Sequence, residues 1–240
     1  YEAKTTKLCQ SDLAASKCFT VELKGLWNVI DNDRGNILLK YWKSSSNQHI
    51  YLYSIGSGKL TPLSESGNAT KAFFLDGRPL ALSEDSPECG GGRCLISVDP
   101  RTGTKEIISL KQVRGHLGDI KPSPDGKSLL IQEAFDGIDS LWIGKLKRKS
   151  IVPAVPNFLS GSYVVWNTRW LSRSEVVFTV ENIGQPAFIK SFDLNTKKTT
   201  VWTKPRLPEV LTGTVRPPEK IRWRSPDSKE ISGYIVKPAK

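Results

Sequence analysis

The amino-acid sequence predicts an all-β protein of the β-propeller class, with about four blades and a C-terminal β-hairpin. Two observations lead to this prediction. A unit of about four short strands recurs along the chain, and no segment has the apolar period of an amphipathic helix. Repetition of a four-stranded sheet around an axis lets each sheet bury both faces against its neighbours, which is how a propeller is built.

Each repeated unit ends in a hairpin of two short apolar strands joined by a polar turn. The turn centres lie near residues 58, 103, 148 and 197, so successive turns are 45, 45 and 49 residues apart. Further strands are predicted ahead of each hairpin, at 36–41, 71–74 with 79–82, 128–132, and 163–170 with 175–180. We assign the blades to residues 26–212, an N-terminal strand or extension to 1–25 and a linker hairpin to 213–240. Four units either close a small ring or form part of a larger one.

Composition indicates a globular chain with many turns. The 240 residues are 38% hydrophobic and 25% charged, with 19 Gly and 15 Pro. No apolar run is long enough for a membrane helix. Because the chain contains no Met, we expect that a signal peptide or a longer N-terminal segment precedes residue 1 in the gene product.

The four cysteines form two close pairs in the sequence. Cys9 with Cys18, and Cys89 with Cys94, are predicted to be local disulfides. A zinc site is the alternative, but the only other soft ligands are His49 and His116. The sequon at Asn68 predicts N-glycosylation. Together these features favour a secreted protein, and we predict no cofactor and no metal.

The segment Pro122–Lys127, with the sequence PSPDGK, predicts a tight turn between two blade strands. In its context it resembles the repeat of TolB-like, WD40-like and prolyl oligopeptidase propellers. The neighbouring Gly115-His116, Asp136-Gly137 and Leu141-Trp142 add a similarity to a WD40 repeat.

The last thirty residues carry a more specific pattern. Residues 218–238 read as two strands around Ser225-Pro226-Asp227-Ser228, followed by Gly233-Tyr234 and Pro238. This segment resembles the one with which the prolyl oligopeptidase family of serine peptidases, including its dipeptidyl-peptidase-like and acylaminoacyl-peptidase-like branches, passes from its propeller into an α/β-hydrolase domain. The family usually has Gly where this chain has Ser228.

The resemblance implies the non-catalytic propeller of a secreted serine peptidase, which restricts access of peptides to a hydrolase domain beyond residue 240. No Gly-x-Ser-x-Gly nucleophile motif occurs in the sequence, so we assign no catalytic residue. His49 and His116 are interpreted as structural or surface residues. The paired carboxylates Glu84-Asp85, and Asp136 with Asp139, are interpreted in the same way.

Two other hypotheses stay open. One is a free-standing propeller that binds a protein or glycan; exposed tryptophans would suit such a role, although we expect most of the seven in the blade cores. The other is a polyanion-binding module that uses the formal charge of +11. Because the basic residues are not evidently gathered, nucleic acid is not predicted as a partner. The nearest cluster is Lys145, Lys147, Arg148 and Lys149, at a hairpin where lysines commonly protect sheet edges.

Overall fold

The computed structural model describes residues 6–11, 16–21, 26–42, 48–64, 69–159, 163–182, 185–205 and 218–237. Within these ranges the regular structure consists of twenty β-strands and one 3-10 helix, Pro87–Cys89. No α-helix occurs in the described part of the chain. The predicted all-β fold is confirmed.

Four groups of four consecutive strands form the blades. The first blade contains β3 (Leu26–Asp33), β4 (Asn36–Trp42), β5 (Gln48–Ser54) and β6 (Lys59–Pro62). The second contains β7 (Ala69–Leu75), β8 (Arg78–Ser86), β9 (Gly92–Val98) and β10 (Lys105–Ser109). The third contains β11 (His116–Pro122), β12 (Leu129–Phe135), β13 (Ile138–Lys147) and β14 (Ser150–Val155). The fourth contains β15 (Val164–Trp170), β16 (Glu175–Asn182), β17 (Gln185–Asp193) and β18 (Thr199–Val201).

A two-stranded hairpin lies towards each end of the chain. The N-terminal hairpin pairs β1 (Thr6–Ser11) with β2 (Ser16–Val21), and the C-terminal hairpin pairs β19 (Glu219–Arg224) with β20 (Glu230–Ile235). The register of the first hairpin places Cys9 opposite Cys18. Their side chains, Asn68 and the predicted boundary at 212 lie outside the described residues.

Within each blade every strand is hydrogen-bonded to the next strand in sequence. This meander is the simplest connection of antiparallel strands, because a tight turn is enough to join neighbours. The chain divides into two compact units, Tyr1–Lys111 with Leu146–Ile151, and Gln112–Lys145 with Val152–Lys240. In the first unit β10 also meets β14, through a parallel bridge between Ser109 and Ser150.

In the first unit the core lies between the sheets of two consecutive blades. Leu38, Ile50 and Leu52 of the first blade are buried together with Phe74 and Val98 of the second. The backbone N–H of Phe74 donates to the Asp31 carboxylate at 2.9 Å. Face-to-face burial of successive sheets is what the propeller prediction requires.

The second unit repeats this arrangement between the third and fourth blades. Leu130 and Leu141 are buried against Val176 and Phe178. A buried hydrogen bond accompanies the apolar contact. The Asp139 carboxylate accepts it from the backbone N–H of Val165 at 2.7 Å. Buried polar groups of this kind are paired, since an unpaired one would be costly.

The four predicted turn centres all join the third and fourth strands of a blade. Gly58, Gly103, Arg148 and Lys197 have φ values of 66°, 78°, 53° and 59°. The turns therefore share left-handed backbone geometry, although only two of them use glycine to reach it. The periodicity that predicted the blades has this common turn as its physical basis.

The expectation that most tryptophans occupy blade cores is wrong. Of the seven, Trp142 is buried, Trp27 and Trp170 are partly buried against core clusters, and Trp166, Trp202 and Trp223 are exposed. Side chains alternate between the two faces of a strand. The core face of β15 takes Val165 and, after the irregularity in pairing between Trp166 and Arg169, Thr168, so Trp166 falls on the opposite face.

Candidate functional site at the C-terminal hairpin

The C-terminal hairpin has two chemically different faces. Directly opposed residues of β19 and β20 include Lys220 with Tyr234, Ile221 with Gly233, and Trp223 with Ile231. Opposed residues point to the same side of an antiparallel pair. One face is therefore polar and the other apolar. The polar face carries Lys220, Arg222, Arg224, Glu230, Ser232 and Tyr234; the apolar face carries Ile221, Trp223, Ile231 and Ile235, with Glu219 opposite Ile235 at its end.

The polar face binds the turn that joins β12 to β13. Lys220 forms an ion pair with the Asp136 carboxylate, and Ser232 donates a hydrogen bond to the same group. The Arg222 guanidinium lies 3.6 Å from it. The hydroxyl of Tyr234 donates to the carbonyl oxygen of Asp136 at 2.8 Å. One residue of the third blade is thus held by four side chains of the hairpin.

Hydrogen bonds at this turn favour the ionised form of the Asp136 carboxyl. The bond from Lys220 and then that from Ser232 lower the pKa of Asp136, with a further contribution from the positive charge of Arg222. The carboxylate is therefore charged at neutral pH and available to fix the hairpin.

Glycine at position 137 leaves room for the ring of Tyr234. Gly137 has φ +78°, and a Cβ atom there would lie 2.6 Å from Cε2 of Tyr234. A larger residue would strain the backbone and collide with the ring. Asp136 therefore supplies the charge that the hairpin binds, and Gly137 supplies the space for the Tyr234 ring.

The apolar face of the hairpin is open to solvent. Trp223 is 47% exposed, and Ile221, Ile231 and Ile235 are each about 40% exposed. The Trp223 ring lies 3.1 Å from the position that a Cβ on Gly233 would take, so the glycine leaves room for the ring. A contiguous apolar face on an otherwise charged hairpin is typical of a surface that another folded body covers.

The turn of this hairpin matches the turn between β11 and β12. In the third blade Ser123 donates a 2.6 Å hydrogen bond to Asp125, and Gly126 N–H donates to Ser123 O at 2.8 Å. In the hairpin Ser225 donates to Asp227, and Ser228 N–H donates to Ser225 O at 2.9 Å. The C-terminal hairpin thus has the turn chemistry of the first two strands of a blade.

The histidines considered for catalysis lie in separate structural settings. His49 is in β5 with its ring centroid 6.4 Å from that of Tyr51, and exposed His116 begins β11. Within the described ranges no group of three or more His, Cys, Asp or Glu side chains is arranged for a metal ion.

Three of the four candidate carboxylates have structural partners, and the side chain of the fourth, Asp85, lies outside the described residues. Glu84 pairs with Arg93 at 2.9 Å. Asp136 and Asp139 do not act as a pair, because Asp136 binds the hairpin and Asp139 binds β15.

Cys89 and Cys94 form a disulfide. No helix of the described residues is long and apolar enough to span a membrane.

The sheets and their face-to-face cores define the class of fold, a β-propeller built from four-stranded blades. No known protein family matches the sequence, and no curated protein matches it. Solved structures do. A prolyl endopeptidase has a TM-score of 0.66 at 14% identity, over 97% of this chain and 37% of its own. Puromycin hydrolase has a TM-score of 0.65 at 14% identity, and the match covers 91% of this chain and 35% of the hydrolase. TolB from Acinetobacter baumannii has a TM-score of 0.53 at 15% identity, and the match covers 96% of this chain and 57% of TolB.

This chain spans about a third of the length of the two hydrolases. The likeness to prolyl oligopeptidase structures, expected from the C-terminal pattern, is confirmed at the level of the fold. It covers the propeller-like part of those proteins.

Proposed function

We propose that this chain is the non-catalytic propeller portion of a secreted serine peptidase of the prolyl oligopeptidase family. Its role is to restrict access of peptides to an α/β-hydrolase domain, which supplies the nucleophile and general base. The disulfide between Cys89 and Cys94 supports an oxidising, extracellular location. The sequon at Asn68 agrees with it.

The two-faced C-terminal hairpin is the observation that carries this proposal. Its polar face is anchored on Asp136, while Ile221, Trp223 and Ile231 are left exposed. An apolar face held in a defined position is suited to a permanent partner, since permanent interfaces are more hydrophobic than transient ones. The hydrolase domain is the occupant that we assign, because the match covers only 37% and 35% of the structurally similar hydrolases and leaves nearly two thirds of each outside it.

The decisive experiment is labelling of the native protein from its source with a fluorophosphonate serine-hydrolase probe, followed by measurement of its intact mass. A labelled chain much heavier than 26.7 kDa, or a tightly bound labelled partner, supports the proposal. An unlabelled species near that mass, with or without glycan, contradicts it.

The hairpin surface is tested in the same native protein by the substitution Trp223→Ser. We expect the hydrolase domain to dissociate or to unfold at a lower temperature, with loss of probe labelling. Trp202→Ser is the matched control, because Trp202 is also exposed but lies after β18. Equal effects of the two substitutions would argue against a hairpin-specific interface.

Restricted access predicts a dependence on substrate size. The intact enzyme should cleave a peptide of about ten residues, while leaving the same sequence uncut in a surface loop of a folded protein. For the prolyl endopeptidases of similar structure, inter-domain dynamics has a role in catalysis and specificity. Equal cleavage of the two substrates would contradict the gating role.

A free-standing propeller that binds a protein or glycan is the second candidate. Trp166, Thr179 and Ile189 lie in directly opposed positions across the fourth blade, and Trp202 N–H donates to Ile189 O at 2.9 Å. The row contains two exposed tryptophans, which suits stacking on sugars or apolar side chains. An unlabelled native chain, together with ligand binding that Trp166→Ala abolishes, would favour this candidate.

A further inference from the structure

A cavity of about 620 Å³ lies in the first unit, at one end of the second blade. This volume is in the range of pockets that bind small molecules or a few side chains. Its walls come from the turn before β8, the turn between β9 and β10, the start of β10 and the turn before β14. The charged residues of the lining include Arg78, Asp99, Arg101, Glu106 and Lys149.

The lining contains four cationic side chains and two carboxylates, and one of the cations, Lys105, pairs with Glu88 outside the lining at 3.3 Å. Both carboxylates are already engaged. Glu106 bridges Arg78 at 2.7 Å and Lys149 at 3.4 Å, and so holds these two cations close together. Asp99 accepts backbone hydrogen bonds from Arg101 at 2.8 Å and Thr102 at 3.3 Å.

Positive charge therefore exceeds negative charge where a ligand would enter. The Lys149 and Arg101 side chains are 74% and 88% exposed. The Arg78 guanidinium has five N–H donors, so it can donate hydrogen bonds to a second carboxylate in addition to Glu106. The net charge of +11 would accelerate the approach of an anionic ligand.

The cavity also has an apolar component that narrows the class of anion. Pro79, Val98 and Pro100 line it beside the cations. Glutamate side chains offer carboxylates on aliphatic stems, which match this mixture, and arginine binds carboxylates in a fork geometry. A sulfated glycan would present polar groups to these apolar residues.

We propose that this cavity binds an acidic peptide segment through Arg78, Arg101 and Lys149. The inference does not depend on the peptidase assignment, because the residues lie on one blade and the adjoining turn. It assigns the protein a peptide-binding site that uses no residue of the C-terminal hairpin.

The test is titration of the chain with a fluorescent hexaglutamate peptide at low and physiological salt. Arg78→Gln and Lys149→Gln should each weaken binding by about tenfold, the size expected for a charge-assisted hydrogen bond. Arg173→Gln is the matched control, since Arg173 is exposed and lies outside the cavity lining. Glu106→Gln should tighten binding several-fold, because it removes the competing carboxylate and retains an acceptor for Arg78.

Thermal unfolding of each variant shows whether the fold is retained. The opposite effects expected for Lys149→Gln and Glu106→Gln separate a binding site from general destabilisation. Undetectable hexaglutamate binding overturns the proposal, as does binding that all four substitutions affect equally. Binding of a heparin oligosaccharide in preference to hexaglutamate also overturns it, since that result would assign the surface to sulfated glycans.

Discussion

Gly126 and Ser228 have the same backbone φ of 65°, although they stand in two turns 102 residues apart (228 minus 126). Each follows a Ser-Pro-Asp sequence and precedes a lysine. Each also donates its backbone N–H to the first serine of its turn. The turn therefore imposes a left-handed conformation on its fourth residue, whether or not that residue is glycine.

Ser228→Gly should stabilise the C-terminal hairpin. Relief of the left-handed strain is worth about 1 kcal/mol, and the greater freedom of glycine in the unfolded chain offsets part of it, so we expect a net gain of about 0.5 kcal/mol. Hydrogen exchange of the β19 and β20 amides measures this change. The reciprocal substitution Gly126→Ser should destabilise the third blade by a similar amount. A loss of protection in Ser228→Gly would show that the serine side chain is needed at this turn.

Gly137→Ala should displace the C-terminal hairpin from the third blade. The new methyl group would collide with the Tyr234 ring in addition to straining the backbone. Gly77→Ala is the matched control: Gly77 has φ +74°, and its added Cβ would come no closer than 3.8 Å to Asp33. Both variants should lose about 1 kcal/mol through strain. Only Gly137→Ala should also expose the hairpin to limited proteolysis, and equal proteolysis of the two would contradict the contact.

The docked hairpin should be released in acid. Because the pKa of Asp136 is lowered in the folded state by Lys220, Ser232 and Arg222, its stabilisation is present above the unfolded pKa of about 3.9 and is lost as pH falls through the lower folded pKa. Proteolysis of the hairpin by pepsin should therefore accelerate over that interval.

Asp136→Asn should abolish this pH dependence and loosen the hairpin at neutral pH. Asp76→Asn is the control, since Asp76-Gly77 forms the corresponding turn between β7 and β8. High salt should act in the same direction as the Asp136 substitution, because the ion pair is close to solvent. If Asp136→Asn cleaves at the wild-type rate, the carboxylate does not hold the hairpin.

Asp139→Ala should destabilise the second unit by about 2 kcal/mol. The substitution leaves the Val165 N–H and the Gln132 amide without the carboxylate that accepts their hydrogen bonds at 2.7 and 3.2 Å. Chemical denaturation measures the loss. Asp33→Ala, at a solvent-accessible surface ion pair, is the control and should change stability by less than about 1 kcal/mol.

The blades could be predicted because the residues that form each turn and its two strands are close together in the sequence. Turn residues near 58, 103, 148 and 197 recur at the same place in each meander, so periodicity alone located them. The contact between Asp136 and Lys220 joins positions 84 residues apart and could not be read from a turn pattern. A signal was nevertheless present in the alternation of Lys220, Ile221, Arg222 and Trp223, which marks a strand with one basic and one apolar face. The exposed tryptophans were missed because alternation does not specify which face a neighbouring sheet covers.

The meander within each blade has a consequence for the speed of folding. Within a blade every strand pairs with the next one along the chain, so the hydrogen bonds of a blade close only short loops, with little closure entropy. Each sheet can form early, as an independent local event on the microsecond scale of hairpin formation. The slow step is then the association of preformed sheets through their apolar faces, and substitutions at Leu38 or Phe178 should slow folding more than substitutions in the turns.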